Sequence, residues 1–288
     1  VDADLAGSTT TKKFAAAAPE NADKLFNCGI AEQNMIDVAA GLALTGHVAY
    51  TGSFAVFGTG RAYDQIRNTV CYSNLDVKIC PTHAGVSVGP DGGSHQMLED
   101  VSLMRGLPNM RVLVPADYAA ARAAIKLAAK TPGPVYVRMG RAAVPCVYDD
   151  DVELELGRAY VLREGTDATV VACGVEIREA LAAADVLAEE GISIEVIDAF
   201  SVKPLDEDTI TASVAKTGCC VVAEEHSVHG GLGSAVAECL ARKNPAPCEF
   251  VGVQDRFGKS GEFEELLGYF NLDAAAIVEA VKRAMGRK

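Results

Sequence analysis

The stretch FNCGIAEQNM, residues 26–35, leads through a glycine-containing turn into a predicted helix that runs on to Leu44. Apolar residues recur after the turn at helical spacing, so one face of this helix is expected to be buried. These apolar positions are Met35, Val38, Ala39 and Leu42. Glu32 lies in the first turn, where an acid often does no more than compensate the helix dipole. Three other stretches make a functional role for Glu32 the better interpretation.

The composition is that of a soluble globular protein. The chain has 288 residues, enough for one large or two ordinary domains, with 49% apolar and 23% charged residues. A formal charge of −13 argues against a nucleic-acid partner and favours a well-solvated, cytoplasmic protein. No apolar run is long enough to span a bilayer, and no signal peptide or lipidation motif is present, so we expect no membrane association. Because the chain opens abruptly at Val1, we expect further residues to precede it.

The nine cysteines are predicted to be mostly buried thiols in a reducing compartment. They are odd in number, they include no Cys-x-x-Cys pair, and most lie in apolar surroundings, as Cys173 does. Neither a disulfide framework nor a zinc site is indicated by this spacing.

Strand-like and helix-like segments alternate along the first half of the chain, which predicts a parallel sheet with helices on both faces. The predicted strands are 48–50, 77–80, 112–114 and 135–138. The predicted helices are 31–44, 61–71, 96–107 and 118–129. Asp117 is expected to cap the last of these helices.

The same alternation resumes after a proline-containing, acidic linker. The predicted strands are 169–173, 193–197, 219–223 and 249–253. The predicted helices are 176–190, 207–217, 232–242 and 273–285. We therefore predict an α/β protein with two open, mostly parallel sheets, divided into a domain at 1–145, a linker at 146–157 and a second domain at 158–288.

Aromatic and basic residues follow the predicted strands of the first domain, at the edge where open parallel sheets bind ligands. Phe54 and Phe57 are three residues apart and can share one face of a helical turn. Glycine and hydroxyl residues surround them, which favours stacking on a ligand ring over a place in the core. Arg138 and Arg141 follow the apolar strand residues 135–137.

The loop HAGVSVGPDGGSH, from His83 to His95, is the most informative segment. Four glycines and a proline make it irregular and let a ligand approach its backbone. Its two histidines and Asp91 favour a binding loop over a plain solvated one. A metal site formed by His83, Asp91 and His95 is the weaker alternative, because no cysteine or further carboxylate completes a ligand set.

The segments GIAEQNM (29–35), TGSFAVF (51–57) and THAGVSVGPDGGSHQ (82–96) together resemble the pyrimidine-binding half of transketolase. The likeness continues through LMR, PNM and VPAD, which lie within residues 103–117. The later part, with EEH at 224–226 and GGLG at 230–233, resembles the transketolase C-terminal domain. The resemblance covers essentially the whole chain, and its motifs are specific in combination.

The resemblance implies a thiamine-diphosphate enzyme. Glu32 would be the catalytic acid that hydrogen-bonds N1′ of the aminopyrimidine. Phe54 and Phe57 would stack on that ring, and Ile30 and Asp4 would also contact the cofactor. In the family, another domain with a Gly-Asp-Gly motif binds the diphosphate and Mg²⁺ or Ca²⁺, and this chain lacks that motif, so no metal ligand is assigned to it. The resemblance thus implies the C-terminal subunit of a split transketolase, working with an N-terminal subunit as a dimer or heterotetramer.

The resemblance also assigns a substrate side to the site, with His83 and His95 as catalytic residues. The residues expected to bind the sugar or its phosphate are Ser8, His83, Asp91, His95, Arg105, Arg138 and Arg141. Arginine suits this role because its guanidinium binds phosphate in a bidentate manner. The implied reaction moves a two-carbon ketol unit from a ketose phosphate to an aldose phosphate, as in the pentose phosphate pathway, without indicating which sugars.

Two departures from the family pattern weaken any transfer of substrate preference. Gly60 stands where the family has a third aromatic, and Ala84 stands where an Asp often follows the first His. Two other enzyme families remain as alternatives: 1-deoxyxylulose-5-phosphate synthase, which usually lacks the equivalent of His83, and 2-oxo-acid dehydrogenase β subunits, which lack the paired-His loop. A non-catalytic interaction subunit is the alternative from another class, and the joint presence of the site residues disfavours it.

Overall fold

The computed structural model describes residues 1–288 and contains two five-stranded sheets flanked by helices. The strands are β1 Ala49–Thr51, β2 Val77–Ile79, β3 Arg111–Leu113, β4 Val135–Val137, β5 Tyr160–Arg163, β6 Ala168–Ala172, β7 Ile194–Asp198, β8 Ser201–Lys203, β9 Cys220–Ser227 and β10 Cys248–Val253. The helices are α1 Lys12–Ala17, α2 Glu32–Leu44, α3 Tyr63–Gln65, α4 Asp100–Arg105, α5 Tyr118–Lys130, α6 Glu176–Glu189, α7 Glu207–Thr217, α8 Leu232–Lys243, α9 Phe263–Phe270 and α10 Ala274–Met285. The predicted fold class, with two mostly parallel sheets, is confirmed.

The first sheet has the strand order β1-β2-β4-β3-β8. Its first four strands are parallel to one another, and every residue of β2 and β4 is buried, as expected for a sheet covered on both faces. The fifth strand, β8, pairs antiparallel with β3 although it lies beyond the linker in sequence. The second half of the chain therefore completes the first sheet.

The second sheet has the strand order β10-β9-β6-β7-β5. All its strands are parallel except β5, which pairs antiparallel with β7 at one edge. Every residue of β6 and β7 is buried. Neither antiparallel strand, β5 or β8, was predicted from the alternation, because no helix separates β5 from β6 or β7 from β8.

Two segments predicted as regular helices differ from the expectation. In place of a helix over 61–71, two π-helical turns, Val56–Arg61 and Ile66–Cys71, flank the short α3. Such wider turns are frequent at functional sites. The helix predicted over 96–107 begins only at Asp100, because the residues before it belong to the loop and Met97 pairs with Ala84.

The capping prediction for α5 is confirmed, since the Asp117 carboxylate accepts a hydrogen bond from Ala120 N at 2.8 Å. All nine cysteines are free thiols and most are buried, as predicted. Cys146, in the linker, differs because it is exposed. No helix of the chain combines the length and the apolar character that crossing a membrane requires.

The two halves of the chain share one apolar core, a cluster of 32 buried residues. Ile36 and Val112 enter it from the first half, and Val214 and Val222 enter it from the second half. This shared core fixes the position of the second sheet relative to the segments that follow the strands of the first, where the candidate site lies.

Candidate active site

Glu32 lies in the first turn of α2, with only 2% of its surface exposed. Both of its carboxylate oxygens accept hydrogen bonds from Arg61 Nη1, at 3.1 and 3.0 Å. The guanidinium of Arg61 also lies 4.4 Å from the centre of the Phe57 ring. Arg61 thus connects the acid to the aromatic pair, a role that the sequence did not suggest.

The predicted aromatic pair and the two loop histidines come together in one cluster. The rings of Phe54 and His83 stack with centroids 3.8 Å apart, and those of Phe54 and Phe57 are 6.3 Å apart. The His95 ring meets Phe57 edge-on at 5.3 Å. The carboxyl ends of β1 and β2 therefore present a continuous aromatic wall that leads from Glu32 to the glycine-rich loop.

The surroundings of His83 determine the position of its ring and its charge. Its ring Nδ1 lies 2.7 Å from Thr82 Oγ1, and the residue is 93% buried with a left-handed backbone (φ 62°). Burial lowers the pKa of His83 to about 4, and the positive charge of Arg141 acts in the same direction. The His83 imidazole is therefore neutral at physiological pH and can exchange hydrogen bonds with a hydroxyl group.

The rest of the loop brings two further predicted residues to the same region. A 3₁₀ turn covers Val86–Asp91 and leaves Asp91 exposed. The ring Nδ1 of His95 lies 2.9 Å from Ser94 Oγ. Arg141 Nη1 donates to Val88 O at 3.1 Å, so the guanidinium lies against the loop while the residue stays exposed.

The other two predicted phosphate ligands, Arg138 and Arg105, lie elsewhere. Arg138 is 94% buried, and its Nε donates to Asp100 Oδ2 at 2.8 Å. Arg105 pairs with Glu238 on α8 and donates to Gly230 O at 3.3 Å. Burial and two sets of protein contacts argue against a phosphate role for Arg138, whereas the phosphate roles of Arg105 and Arg141 stay predictions.

The predicted residues before β1 lie on an exposed edge beside the turn that precedes α2. Asp4 Oδ1 accepts from Asn27 Nδ2 at 3.2 Å, and Ser8 is exposed. Ile30 is 77% exposed, an unusual environment for an isoleucine. No hydrogen bond joins these three residues to the aromatic wall, and their roles stay predictions.

Two groups of candidate ligands could hold an ion or a cofactor, and they differ in what the structure offers. The alternative metal site of His83, Asp91 and His95 is not formed, and no cluster of at least three His, Cys, Asp or Glu side chains has a metal-binding arrangement. The donors that remain are the buried carboxylate of Glu32 and the aromatic faces beside it. A flat ring with hydrogen-bonding nitrogens matches that donor set.

Comparisons with known proteins agree with this description of the fold. Residues 1–147 match the transketolase pyrimidine binding domain, and residues 157–277 match the transketolase C-terminal domain. A putative transketolase C-terminal section of Methanocaldococcus jannaschii is 45% identical, over 100% of this chain and 90% of that protein. The 6-deoxy-6-sulfo-D-fructose transketolase subunit SqwH of Clostridium sp. is 43% identical, over 100% of this chain and 88% of that protein.

A solved structure described as a split gene transketolase, inactive beta4 tetramer, is also similar. It superposes with a TM-score of 0.90 at 49% identity, over 100% of this chain and 91% of that one. The two matched domains define a thiamine-dependent enzyme of the transketolase type. This chain belongs to the transketolase family, which confirms the resemblance found in its sequence.

Proposed function

We propose that this chain is the C-terminal subunit of a split thiamine-diphosphate-dependent transketolase, which moves a two-carbon ketol unit from a ketose phosphate to an aldose phosphate. The observation that carries the proposal is the buried Glu32 carboxylate at one end of an aromatic wall whose other end is the paired-His loop. The names of the M. jannaschii and Clostridium relatives and of the split-gene structure support the subunit assignment.

Glu32, Phe54 and Phe57 would hold the aminopyrimidine end of the cofactor, with Ile30 and Asp4 at the exposed edge beside them. The position of the Arg61 guanidinium supports this fit, because that group is flat, bears hydrogen-bond donors, faces Phe57 and contacts Glu32. An aminopyrimidine is also flat and bears hydrogen-bonding groups, so it could stack on the same ring and bond to the same carboxylate. When bound, thiamine diphosphate supplies a thiazolium carbon that attacks carbonyl groups.

The role of Glu32 in the reaction is to hold a proton at the pyrimidine nitrogen N1′ of the bound ring. A buried carboxyl at hydrogen-bond distance exchanges that proton without competition from water. With the ring bound, Phe54 and Phe57 would help to exclude water from this contact. Because Glu32 exchanges the proton and the aromatic residues only shield it, loss of Glu32 should reduce turnover more than loss of Phe54 or Phe57.

The substrate side of the site is assigned to the loop and to Arg141. His83, in its neutral form, and His95 would hydrogen-bond the carbonyl and hydroxyl oxygens of the sugar, with Asp91 and Ser8 at its polar rim. The exposed guanidinium of Arg141 would bind the terminal phosphate, for which arginine geometry is suited. The sulfosugar in the name of the Clostridium relative shows that members of this family differ in substrate, so we propose a substrate class and no particular sugar.

The partner would be an N-terminal subunit that binds the diphosphate and its Mg²⁺ or Ca²⁺, since in the family those groups belong to a domain other than the two found here. Two copies of each chain would give a heterotetramer if the two-fold symmetry of the family is kept. The 77% exposure of Ile30 beside the site is consistent with a subunit that covers this edge.

The experiment that tests the proposal is reconstitution with the protein encoded beside this chain that carries a diphosphate-binding motif. The assembled pair, with thiamine diphosphate and Mg²⁺, is expected to exchange a two-carbon unit between a ketose phosphate and an aldose phosphate, followed by mass spectrometry of the products. Consumption of pyruvate with release of CO₂ would instead support the deoxyxylulose-phosphate synthase alternative. Inactivity of a stable, cofactor-loaded pair toward a panel of sugar phosphates would reject the transketolase assignment.

A further inference from the structure

The second half of the chain reaches into the predicted substrate loop through Glu225 on β9. Glu225 is 2% exposed, and its Oε1 accepts a hydrogen bond from the backbone N–H of Ser87 at the middle of the loop. A Cβ added at Gly85 would lie 2.2 Å from the Glu225 carboxylate, so the loop backbone packs directly on this side chain. Gly85 also has a positive φ of 81°, which suits glycine.

A buried charged network fixes the position of Glu225. Arg138 Nη2 donates to the backbone oxygen of Glu225 at 2.8 Å, and its Nη1 lies 3.8 Å from Glu225 Oε2. The other side of the same guanidinium binds Asp100, which also accepts from the Tyr136 hydroxyl at 2.6 Å. Arg138, which the sequence suggested as a phosphate ligand, is thus part of the support under the loop.

A second contact from the C-terminal half holds the far end of the loop. Gln96 Nε2 donates to Lys259 O at 2.9 Å, and Lys259 N donates back to Gln96 Oε1 at 2.7 Å. A Cβ added at Gly93 would lie 2.6 Å from Gly258 O. The loop that carries His83, Asp91 and His95 is therefore pinned at its middle by Glu225 and at its end by the segment 258–259.

The burial of a carboxylate at this position needs an explanation beyond packing. Burial raises the pKa of Glu225 to about 7, and the charge of Arg138 and the Ser87 hydrogen bond oppose that rise. An apolar side chain would fill the same volume without this penalty, but it would leave the Ser87 N–H without an acceptor. The carboxylate of Glu225 is therefore needed as the hydrogen-bond acceptor for the Ser87 N–H.

We propose that Glu225 is a positioning residue for substrate binding, through which the C-terminal domain sets the conformation of the loop that carries His83, Asp91 and His95. This inference rests on the proposed function, because it takes the loop to be the substrate-binding element. It gives the C-terminal domain a direct part in sugar recognition. The cofactor end of the site, at Glu32, lies at the other end of the aromatic wall and is expected to be insensitive to Glu225.

The test uses Glu225→Ala and Glu225→Gln in the assembled enzyme, with Glu224→Ala as the matched control. Glu224 is the neighbouring buried acid, but its carboxylate accepts from Leu232 N and Gly233 N, at 2.7 and 2.8 Å, and touches no part of the loop. Glu225→Ala is expected to raise KM for the ketose phosphate about tenfold or more, as for loss of a buried charged hydrogen bond. The Kd of thiamine diphosphate should change less than about threefold, and Glu225→Gln should recover most of the loss because its amide oxygen can still accept from Ser87.

A second measurement is independent of activity. In the isolated chain, the Ser87 amide should exchange its hydrogen about tenfold faster or more in Glu225→Ala, and the rate in Glu224→Ala should match the unmodified chain. Equal KM values for Glu225→Ala and Glu224→Ala in an active enzyme, or an unchanged Ser87 exchange rate, would overturn this inference. An unmodified pair that neither binds cofactor nor transfers a ketol unit would instead overturn the proposed function.

Discussion

Replacing Glu32 with Ala is expected to remove most of the turnover of the assembled enzyme while leaving the fold intact. The side chain is 98% buried beside the aromatic wall, where it would hold the proton at the cofactor ring. Groups that transfer protons in a reaction typically contribute about 10²–10⁴-fold to its rate, so a loss of at least this size is expected. A thiamine-dependent reaction needs this step in every turnover, so no substrate should escape the effect.

The cost in stability should be small by comparison. The structure pairs Glu32 with Arg61, whose side chain is 49% exposed, and such partly solvated pairs contribute roughly 0.2–1 kcal/mol. For a chain of this size, that corresponds to a fall in Tm of about 4 °C or less. Glu195→Ala is the matched control, because it also removes a buried carboxylate that pairs with a partly exposed cation, Lys216, and it lies on β7 of the second sheet. The assay is ketol transfer by the reconstituted pair, alongside thermal unfolding of each variant.

Two outcomes of this experiment would refute the reasoning. Turnover of Glu32→Ala within about threefold of the unmodified enzyme would show that the acid has no part in the chemistry. A fall in Tm much larger than that of Glu195→Ala would show that Glu32 acts through the fold and would make the loss of turnover uninformative.

Three further predictions concern Arg141, His83 and Arg61. Arg141→Ala should raise KM for phosphorylated substrates roughly 10- to 150-fold, the equivalent of about 1.5–3 kcal/mol for a charged hydrogen bond, and equal effects on unphosphorylated sugars would make Arg141 structural. His83 should titrate near pH 4 by NMR, and Arg141→Ala should raise that midpoint, whereas a midpoint near 6.5 would contradict its burial. Because the pKa of His83 in the folded chain lies below the unfolded value of about 6.5, the free energy of unfolding should fall as the pH falls from about 6.5 to about 4. Arg61→Met should tighten cofactor binding by the assembled pair up to about fivefold, because Arg61 competes for Glu32 and Phe57, whereas weaker binding would show that Arg61 supports the ring.

The parts of the fold that the sequence predicted are those set by local pattern. The period of apolar residues in α2 and the capping residue Asp117 before α5 are local signals, and both elements formed where expected. The pairing of β8 with β3 is not local, because it joins segments separated by the linker and by four further strands. Hydrophobic periodicity carries no information about which distant strand completes a sheet.

The same distinction explains which site residues could be predicted. Glu32, Phe54 and His83 follow strands or open a helix, and parallel topology brings such positions to one edge. Arg138 is buried and Arg141 is exposed because their side chains point in different directions. The Arg138 side chain points into the protein, where it donates to Asp100 and to the Glu225 backbone oxygen. No spacing rule in the sequence distinguishes the two.

Arg61 was missed for a related reason. It ends a π-helical turn, whose extra residue rotates the side chain away from the face that regular helical spacing assigns to it. The one signal that could have drawn attention to it was a lone arginine within a glycine-rich, apolar segment, close in the chain to the aromatic pair. That signal points to a special environment but not to Glu32 as the partner.

The most direct test of the central claim is calorimetry of thiamine diphosphate binding, with Mg²⁺ present, to this chain alone and to its complex with the N-terminal subunit. Alone, the chain offers aromatic stacking of about 0.5–1.5 kcal/mol and one charged hydrogen bond of about 1.5–3 kcal/mol, which is too little for sub-millimolar affinity once ordering is counted. We therefore expect no saturable binding by the isolated chain and micromolar or tighter binding by the complex. A micromolar Kd without the partner would contradict a site shared between two subunits and would place a diphosphate site within these 288 residues.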